Sequence, residues 1–297
     1  MEYVIASVQV TDEIQYADGT RKEKIAGGAG FYAMAGIRLW CDEVLPVTGV
    51  GADFAELYGE WYEKNQVSMK GLIVKGERTP HTKIQYFEDG EREEISLYGL
   101  EHFQNMEVTP EELRPYFRTA KGIYIFKNSS PKFWEKILED KKGTQAKVMW
   151  EIACDATYYE NLEPVRAIAR EMDVFSINLT ESKALLGKEN LEDIIHEYQS
   201  WGIPLIFLRR GAKGAVMITP EAYVEVPSQP DVHVVDPTGG GNSSSGAVLY
   251  GFTEGYSPKI CGQMGSLSAA MCLEQYGVPP LITDSMREEA RKRLDVK

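Results

Sequence analysis

Three consecutive glycines between Asp236 and Asn242 form the stretch with the clearest chemical character. The segment, Asp236-Pro-Thr-Gly-Gly-Gly-Asn242, follows two valines and leads into an apolar helical pattern that reaches Phe252. Glycine lets a backbone approach a ligand without a Cβ, and the first turn of a helix offers free N–H groups to an anion. We therefore predict a strand, a tight loop and a helix in which Gly239, Gly240 and Gly241 bind a phosphate or oxyanion.

The same stretch has a plainer interpretation, a glycine loop that only starts a helix. Asn242 and the serines after it are typical N-cap residues, which fits either interpretation. A Walker loop is excluded because no Gly-Lys-Ser/Thr sequence follows the glycines.

Polar residues also follow two other apolar runs. Asn178 and Glu181 come after Val174–Ile177 with the spacing of a capping box. Arg209 follows Leu205–Leu208 and precedes a turn bounded by Gly211 and Gly214; it is suited to a phosphate, or else it is an ordinary solvated arginine. Because ligands bind at the carboxyl ends of parallel strands, we expect these residues and the glycine loop at one edge of a sheet.

Short apolar runs alternate with amphipathic helical patterns from residue 44 onward. This alternation predicts βαβ units and a mainly parallel sheet covered by helices on both faces. We see no linker or composition shift that divides the 297 residues, so a single α/β domain is expected. The predicted strands are Tyr3–Val10, Val44–Val47, Leu72–Val74, Gly122–Phe126, Val148–Ile152, Val174–Ile177 and Leu205–Leu208.

Two polar, alternating hairpins do not fit the buried sheet. One turns at Asp18-Gly19 and the other at Asp89-Gly90, both strong hairpin dipeptides. We predict that the segments 12–26 and 81–97 lie together as a small β lid that shields a site; two unrelated surface hairpins are the alternative.

Gly28, Gly30 and Ala33 match a relaxed dinucleotide fingerprint, with Asp53 twenty residues after Ala33. The segment before Gly28 is charged, whereas the fingerprint should follow a buried central strand. A dinucleotide-dependent oxidoreductase is therefore kept only as a rival hypothesis.

Composition narrows the classes of partner. With 32 basic and 45 acidic residues the net charge is −13, which argues against a nucleic-acid or membrane surface. The four cysteines and four histidines are scattered, which is typical of a reducing compartment and offers no histidine metal site. We see no signal peptide and no run of about 18 apolar residues, and we expect a cytoplasmic protein.

Taken in order, the motifs resemble those of the ribokinase-like (PfkB) family of sugar and nucleoside kinases across nearly the whole chain. The most specific are the glycine loop and Asn178-x-x-Glu181. The others are Asp12-Glu13-Ile14, Gly27-Gly28, Val50-Gly51-Ala52-Asp53, Gly211-x-x-Gly214, Ala269-Ala270 and Gly277.

The resemblance implies a ribokinase-like fold and ATP-dependent phosphoryl transfer to a hydroxymethyl group of a small sugar, nucleoside or polyol. It implies ATP, Mg²⁺ and a monovalent cation such as K⁺ as cofactors, and a monomer or a lid-mediated homodimer. The implied roles are the anion hole for Gly239, Gly240 and Gly241, nucleotide binding for Asn178, Glu181, Arg209, Gly211 and Gly214, water-mediated Mg²⁺ binding for Glu181, monovalent-cation binding for Asp236, and substrate binding for Asp12, Gly27, Gly28 and Tyr32.

Two positions depart from the family pattern. The family's usual catalytic base, an Asp at the end of the glycine loop, is Asn242 here, and an amide does not remove a hydroxyl proton at neutral pH. Tyr32 occupies the position of a common sugar-binding Asn. The sequence leaves open a slow kinase, a kinase with another base, and a pseudokinase-like binding protein.

Overall fold

The structure is a computed structural model that describes residues 2–88 and 92–296. Its strands are β1 (Tyr3–Ala6), β2 (Val10–Gln15), β3 (Arg21–Gly27), β4 (Val44–Pro46), β5 (Thr48–Gly51), β6 (Leu72–Gly76), β7 (His81–Tyr86), β8 (Arg92–Ser96), β9 (Gly122–Lys127), β10 (Lys147–Ile152), β11 (Val174–Asn178), β12 (Leu205–Arg209), β13 (Ala215–Ile218) and β14 (Tyr223–Val226). Its α-helices are α1 (Gly28–Arg38), α2 (Phe54–Lys64), α3 (Leu100–Met106), α4 (Pro110–Leu113), α5 (Pro131–Lys141), α6 (Leu162–Ala169), α7 (Leu179–Leu186), α8 (Leu191–Ser200), α9 (Gly240–Thr253), α10 (Pro258–Leu273) and α11 (Asp284–Leu294).

Eight strands form the central sheet in the order β14-β13-β12-β11-β10-β9-β1-β4. The pairs from β4 to β12 are parallel, and β13 and β14 add an antiparallel edge. Side chains of one strand alternate between two cores, as Ile123 and Tyr124 do in β9. Helices α5 to α8 contribute to the first core, and α1, α2, α9 and α10 to the second. The predicted α/β fold with a mainly parallel sheet and helices on both faces is confirmed.

Three strand predictions need correction. The expected strand Tyr3–Val10 divides at Ser7, and only its first half joins the central sheet. The run Leu72–Val74 pairs with β5 in a separate two-stranded sheet, where Val74 is exposed. The valines before Asp236 form no strand: the backbone N–H groups of Val235 and Asp236 donate to the carbonyl of Leu273 instead. Apolar character alone did not show which strands pair within the central sheet.

The two polar hairpins lie in one four-stranded sheet, ordered β3-β2-β7-β8, which we call the lid. Strands β2 and β7 pair in parallel, so the two hairpins are joined at the middle of the lid. Ile14, Ile84 and Tyr86 form a small apolar core there. The predicted turn Asp89-Gly90 lies outside the described residues.

Helix α9 crosses α1 at very short range. A Cβ at Gly36 would collide with the backbone carbonyl of Ser243, and a Cβ at Gly246 with that of Ala33. Glycine is required at both crossing points because backbone lies where a side chain would begin. This contact fixes the start of α9 relative to the segment that carries Gly27 and Gly28.

Candidate active site

The glycine stretch forms the N-terminus of α9. Gly239 is the N-cap and has a left-handed backbone with φ +77°. The helix begins at Gly240, so the expectation that Asn242 and the serines cap it is wrong: they lie inside its first turns. The hydroxyls of Ser243 and Ser244 donate to the carbonyls of Gly240 and Gly241. The glycine N–H groups point out of the helix end, which is the geometry of an anion site.

Asn242 lies in a network that the sequence analysis did not anticipate. Its Nδ2 donates to Oε1 of Glu151 at 2.9 Å. Glu151 is only 1% exposed, and Tyr124 donates its hydroxyl to Oε2 at 2.7 Å. Nη1 of Arg209 completes the shell at 2.8 Å from Oε1. The single carboxylate in the apolar run Val148–Ile152 was the one sequence signal that marked Glu151.

Arg209 connects this network to the start of α7. Its Nη2 lies 3.8 Å from Oε2 of Glu181. Asn178 and Glu181 form the expected capping box, with Oδ1 of Asn178 accepting from the N–H of Glu181 and Oε2 of Glu181 accepting from the N–H of Asn178. Burial raises the pKa of Glu181, and the charge of Arg209 opposes that shift. Asn178, Arg209 and the glycine loop therefore do share one sheet edge.

Gly211 and Gly214 bound a short 3₁₀ turn, Gly211–Lys213, beside this edge. A Cβ on Gly214 would collide with the carbonyl of Val226, and its φ is +79°. Gly214 therefore has a structural reason to be glycine. Gly211 has open space where a side chain would begin, within the described part of the chain, so the backbone there is accessible to a ligand.

Asp12 and the two glycines before α1 form a second group. A Cβ on Gly27 would occupy the position of the Asp12 carboxylate, and Gly28 has φ +79° with its Cβ position 2.8 Å from the carbonyl of Val8. Asp12 is 2% exposed. Burial, reinforced by the charge of Glu94, raises the pKa of Asp12 to about 8, although the N–H of Gly28 donates to the carboxylate. A pKa raised to that extent favours the protonated form of Asp12 near neutral pH, and in that form the carboxyl can donate a hydrogen bond.

Tyr32 and Asp236 lie between the two groups. The Tyr32 ring occupies the space beside Gly239 that a side chain would need. Burial, together with the charges of Asp12 and Asp236, raises the pKa of Tyr32, so it stays a neutral donor. Within residues 2–88 and 92–296, the Tyr32 hydroxyl and Oδ2 of Asp236 are buried without a hydrogen bond of normal geometry, although the nearby Asp236 carboxylate raises the pKa of Tyr16.

The lid contacts the glycine loop through Tyr86. Its hydroxyl lies 3.0 Å from Oγ1 of Thr238, and its ring stacks on Tyr16. Oδ1 of Asp236 accepts from both the N–H and the hydroxyl of Thr238. On the neighbouring strand, Arg92 and Glu94 form an ion pair whose charges act on Asp12. Neither side chain was predicted as part of the site, because charged residues on a polar surface hairpin are ordinarily solvated.

A family model for pfkB family carbohydrate kinases matches residues 3–283. The chain belongs to this family. The expectation of a ribokinase-like small-molecule kinase is thereby confirmed at the level of the family. Neither the pseudokinase nor the oxidoreductase alternative is supported. The structure also argues against the dinucleotide fingerprint of an oxidoreductase. Gly28 follows a lid strand and not a central strand, and Oδ1 of Asp53 accepts from the N–H and hydroxyl of Thr79.

Relatives in sequence agree with this assignment, and a solved structure agrees with the fold. A cytidine kinase of Thermococcus kodakarensis is 27% identical over 278 residues, covering 92% of this chain and 96% of that protein. A nucleoside kinase of Methanocaldococcus jannaschii is 25% identical, covering 86% of this chain and 81% of that protein. The structure of an adenosine kinase from Sinorhizobium meliloti has a TM-score of 0.80 at 19% identity, covering 98% of this chain and 99% of that one.

The described residues contain no group of three or more His, Cys, Asp or Glu side chains arranged to hold a metal ion. The chemistry of the site still suits cations: Glu181 is a partly exposed carboxylate at the sheet edge, and Asp236 is a fully buried one with an unpartnered oxygen.

Within residues 2–88 and 92–296, no helix is long and apolar enough to cross a membrane.

Proposed function

We propose that this chain transfers the γ-phosphoryl group of ATP to a hydroxymethyl group of a small acceptor, with a nucleoside as the leading candidate among nucleosides, sugars and polyols. The observation that carries the proposal is the position of the α9 N-terminus. It lies between the Asp12 group, which it contacts through Tyr32 and Gly239, and the Arg209–Glu181 group. The named cytidine and nucleoside kinase relatives support the choice of acceptor.

Each group has a distinct proposed task. Asp12, Gly27, Gly28 and Tyr32 bind the acceptor hydroxyls, and the N–H groups of Gly239, Gly240 and Gly241 stabilise charge on the transferring group. Asn178, Arg209, Gly211 and Gly214 lie beside the nucleotide.

Two cations fit the remaining carboxylates. Glu181, a partly exposed carboxylate at the sheet edge, would hold Mg²⁺ through water. Asp236 would face a monovalent cation, which compensates a carboxylate oxygen that is buried without a donor. When bound, Mg²⁺ would supply charge neutralisation on the phosphate groups.

Asn242 fits a kinase that relies on positioning. Its amide accepts a hydrogen bond from the acceptor hydroxyl but does not take the proton, which passes to an oxygen of the transferred group. General-base catalysis is worth about 10²- to 10⁴-fold, whereas positioning and electrostatic stabilisation carry most of phosphoryl transfer. We therefore expect a slow kinase.

The test is ADP release with ATP, Mg²⁺ and K⁺ across a panel of nucleosides, sugars and polyols, combined with calorimetric titration of ATP and of each acceptor. The expected result is turnover with at least one acceptor and binding of that acceptor in the Asp12 group, which Asp12→Ala should abolish. Absence of both ATP binding and turnover across the panel would contradict the proposal. Omitting K⁺ tests the role of Asp236 separately.

A further inference from the structure

The buried carboxylate of Glu151 has a role that goes beyond burial. It lies on β10 beneath the first turn of α9 and receives three donors from three elements: Tyr124 on β9, Arg209 on β12 and Asn242 on α9. A buried carboxylate is costly unless paired and hydrogen-bonded. Well-packed apolar residues in place of a buried ion pair often leave a protein equally or more stable, so the charge at position 151 points to a function.

We propose that Glu151 is a positioning residue that orients Asn242 for the acceptor hydroxyl. The inference rests on the proposed function. Because Nδ2 of Asn242 donates to Oε1 of Glu151, Oδ1 on the other arm of the planar amide is left to face away from that carboxylate. That oxygen is the acceptor that a substrate hydroxyl needs. Without Glu151, the amide keeps the longer contact of its Nδ2 with the Tyr124 hydroxyl, at 3.5 Å, which fixes its orientation less firmly.

Glu151 also fixes the opposite side of the glycine loop. Its Oε1 holds Nη1 of Arg209, and that nitrogen occupies the space where a Cβ on Gly241 would lie. One carboxylate thus sets both the amide of Asn242 and the guanidinium beside the anion hole. Glu151 and Asn242 therefore form an acid–amide pair between β10 and α9, in which the charged member, Glu151, lies on the strand.

The pairing is tested by exchanging the acid and the amide between positions 151 and 242. Glu151→Gln should lower kcat by about tenfold or more, because a neutral amide holds Asn242 and Arg209 less firmly than the carboxylate does. Asn242→Asp should also lower kcat at neutral pH, since it sets a second carboxylate against Glu151. The double variant Glu151→Gln/Asn242→Asp restores one acid and one amide and should recover activity above that of either single variant.

The controls separate positioning from folding. Glu111→Gln makes the same chemical change at an exposed ion pair with Lys136 and should leave kcat unchanged. Tyr124→Phe removes one donor to Glu151 and the 3.5 Å contact of the Tyr124 hydroxyl with Nδ2 of Asn242, but it keeps the bond between Asn242 and Glu151 and should cost less than Glu151→Gln. Full kcat in Glu151→Gln, or a double variant no better than its weaker parent, overturns the proposal.

A ligand-free measurement tests the contact itself. In Asn242→Asp the charge of Glu151 should raise the pKa of the new carboxyl, with Arg209 opposing the shift and Glu181 and Tyr124 as the other facing groups. The folded state then binds more protons than the unfolded one, so the Tm should fall between about pH 4 and 7 more steeply than in wild type. Adding Glu151→Gln should remove the extra slope.

Equal slopes of Tm against pH in Asn242→Asp and in the double variant would contradict a contact between Glu151 and position 242. The two proposals fail separately. Wild-type protein that phosphorylates no acceptor contradicts the proposed function and the role of Glu151 in turnover, while the pH series still decides whether Glu151 holds the residue at position 242.

Discussion

At the scale of single residues, the candidate site is defined by side chains that occupy the space beside glycines. Tyr32 lies against Gly239, Arg209 against Gly241, and Asp12 against Gly27. In each case the glycine lets a polar or aromatic side chain reach the backbone that we propose binds substrate. The triple glycine therefore serves the side chains around it as well as the ligand.

Gly241→Ala tests this interpretation of the loop. The new Cβ would collide with Nη1 of Arg209, which Glu151 holds in place. We expect kcat to fall by about 10²-fold, the size of a lost oxyanion donor. Gly240→Ala is the matched comparison, because its Cβ would meet only the flexible end of Leu273 at 2.9 Å. Equal losses in steady-state assays of the two variants would contradict the special role of Arg209.

Asp12 gives a pH dependence with a defined sign. Its ordinary pKa of 3.8 rises to about 8 in the folded protein. Between those values the unfolded chain has released the proton while the folded one keeps it, so the free energy of unfolding of the ligand-free protein falls as the pH rises from about 4 to 8. Asp12→Asn should remove this contribution.

The measurement is the Tm against pH for wild type and Asp12→Asn, with a shallower decline expected in the variant. Asp18→Asn is the control: it makes the same change in the exposed turn of the same hairpin and should leave the slope over that range as in wild type. Parallel curves for wild type and Asp12→Asn would show that Asp12 is ionised in the folded protein.

At the scale of elements, the α1–α9 crossing places the acceptor group beside the anion hole. Both helices begin with glycines that the proposed function uses, Gly28 in α1 and Gly240 in α9. Their shared contact at Gly36 and Gly246 is backbone against backbone. Since helices are rigid over this length, the crossing sets the distance between the two N-termini.

Gly36→Ala tests the crossing. Its Cβ would collide with the carbonyl of Ser243, so we expect a loss of about 1–3 kcal/mol in the free energy of unfolding, as for other overpacked positions, and lower kcat because α9 is displaced. Gly59→Ala is a helical control with nothing within 4 Å of its Cβ, and it should gain about 0.5–1 kcal/mol. Urea unfolding measures both. A neutral Gly36→Ala would contradict the close contact.

At the scale of the whole molecule, the lid and the central sheet meet at the proposed site. The hydroxyl of Tyr86, on the lid, reaches Thr238 in the loop before α9, and Thr238 in turn donates to Asp236. The lid is thus connected to the glycine loop by a chain of hydrogen bonds. Its position can affect acceptor binding without touching the nucleotide side.

Tyr86→Phe tests this connection. The unfolding free energy should change by no more than about 0.5–1.5 kcal/mol, the net value of one hydrogen bond. The KM for the acceptor should rise severalfold while the KM for ATP stays constant, because only the lid side is loosened. Tyr98→Phe, a half-exposed tyrosine close to the same lid strands, should change neither value. A rise confined to the ATP KM would contradict the lid interpretation.

The sequence predicted the architecture because its signals are local. Alternating apolar runs and helical patterns give the parallel sheet, Asp18-Gly19 gives a hairpin turn, and Asn178 with Glu181 gives a capping box. The glycine stretch was correctly placed at a helix start, but its cap and the strand before it were wrong. A left-handed Gly239 and two N–H groups bonded to Leu273 depend on packing that no local pattern records.

Residue order and spacing by themselves determined the fold class, the family and the set of polar residues at the sheet edge. Apart from the capping pair Asn178 and Glu181, the tertiary structure decided their partners. Glu151 comes from a different strand and is 91 residues from Asn242 in sequence, yet its carboxylate orients that amide and holds Arg209. The physical reason is that a buried charge must be compensated by whichever donors the fold brings near, and such donors come from distant segments with no shared period.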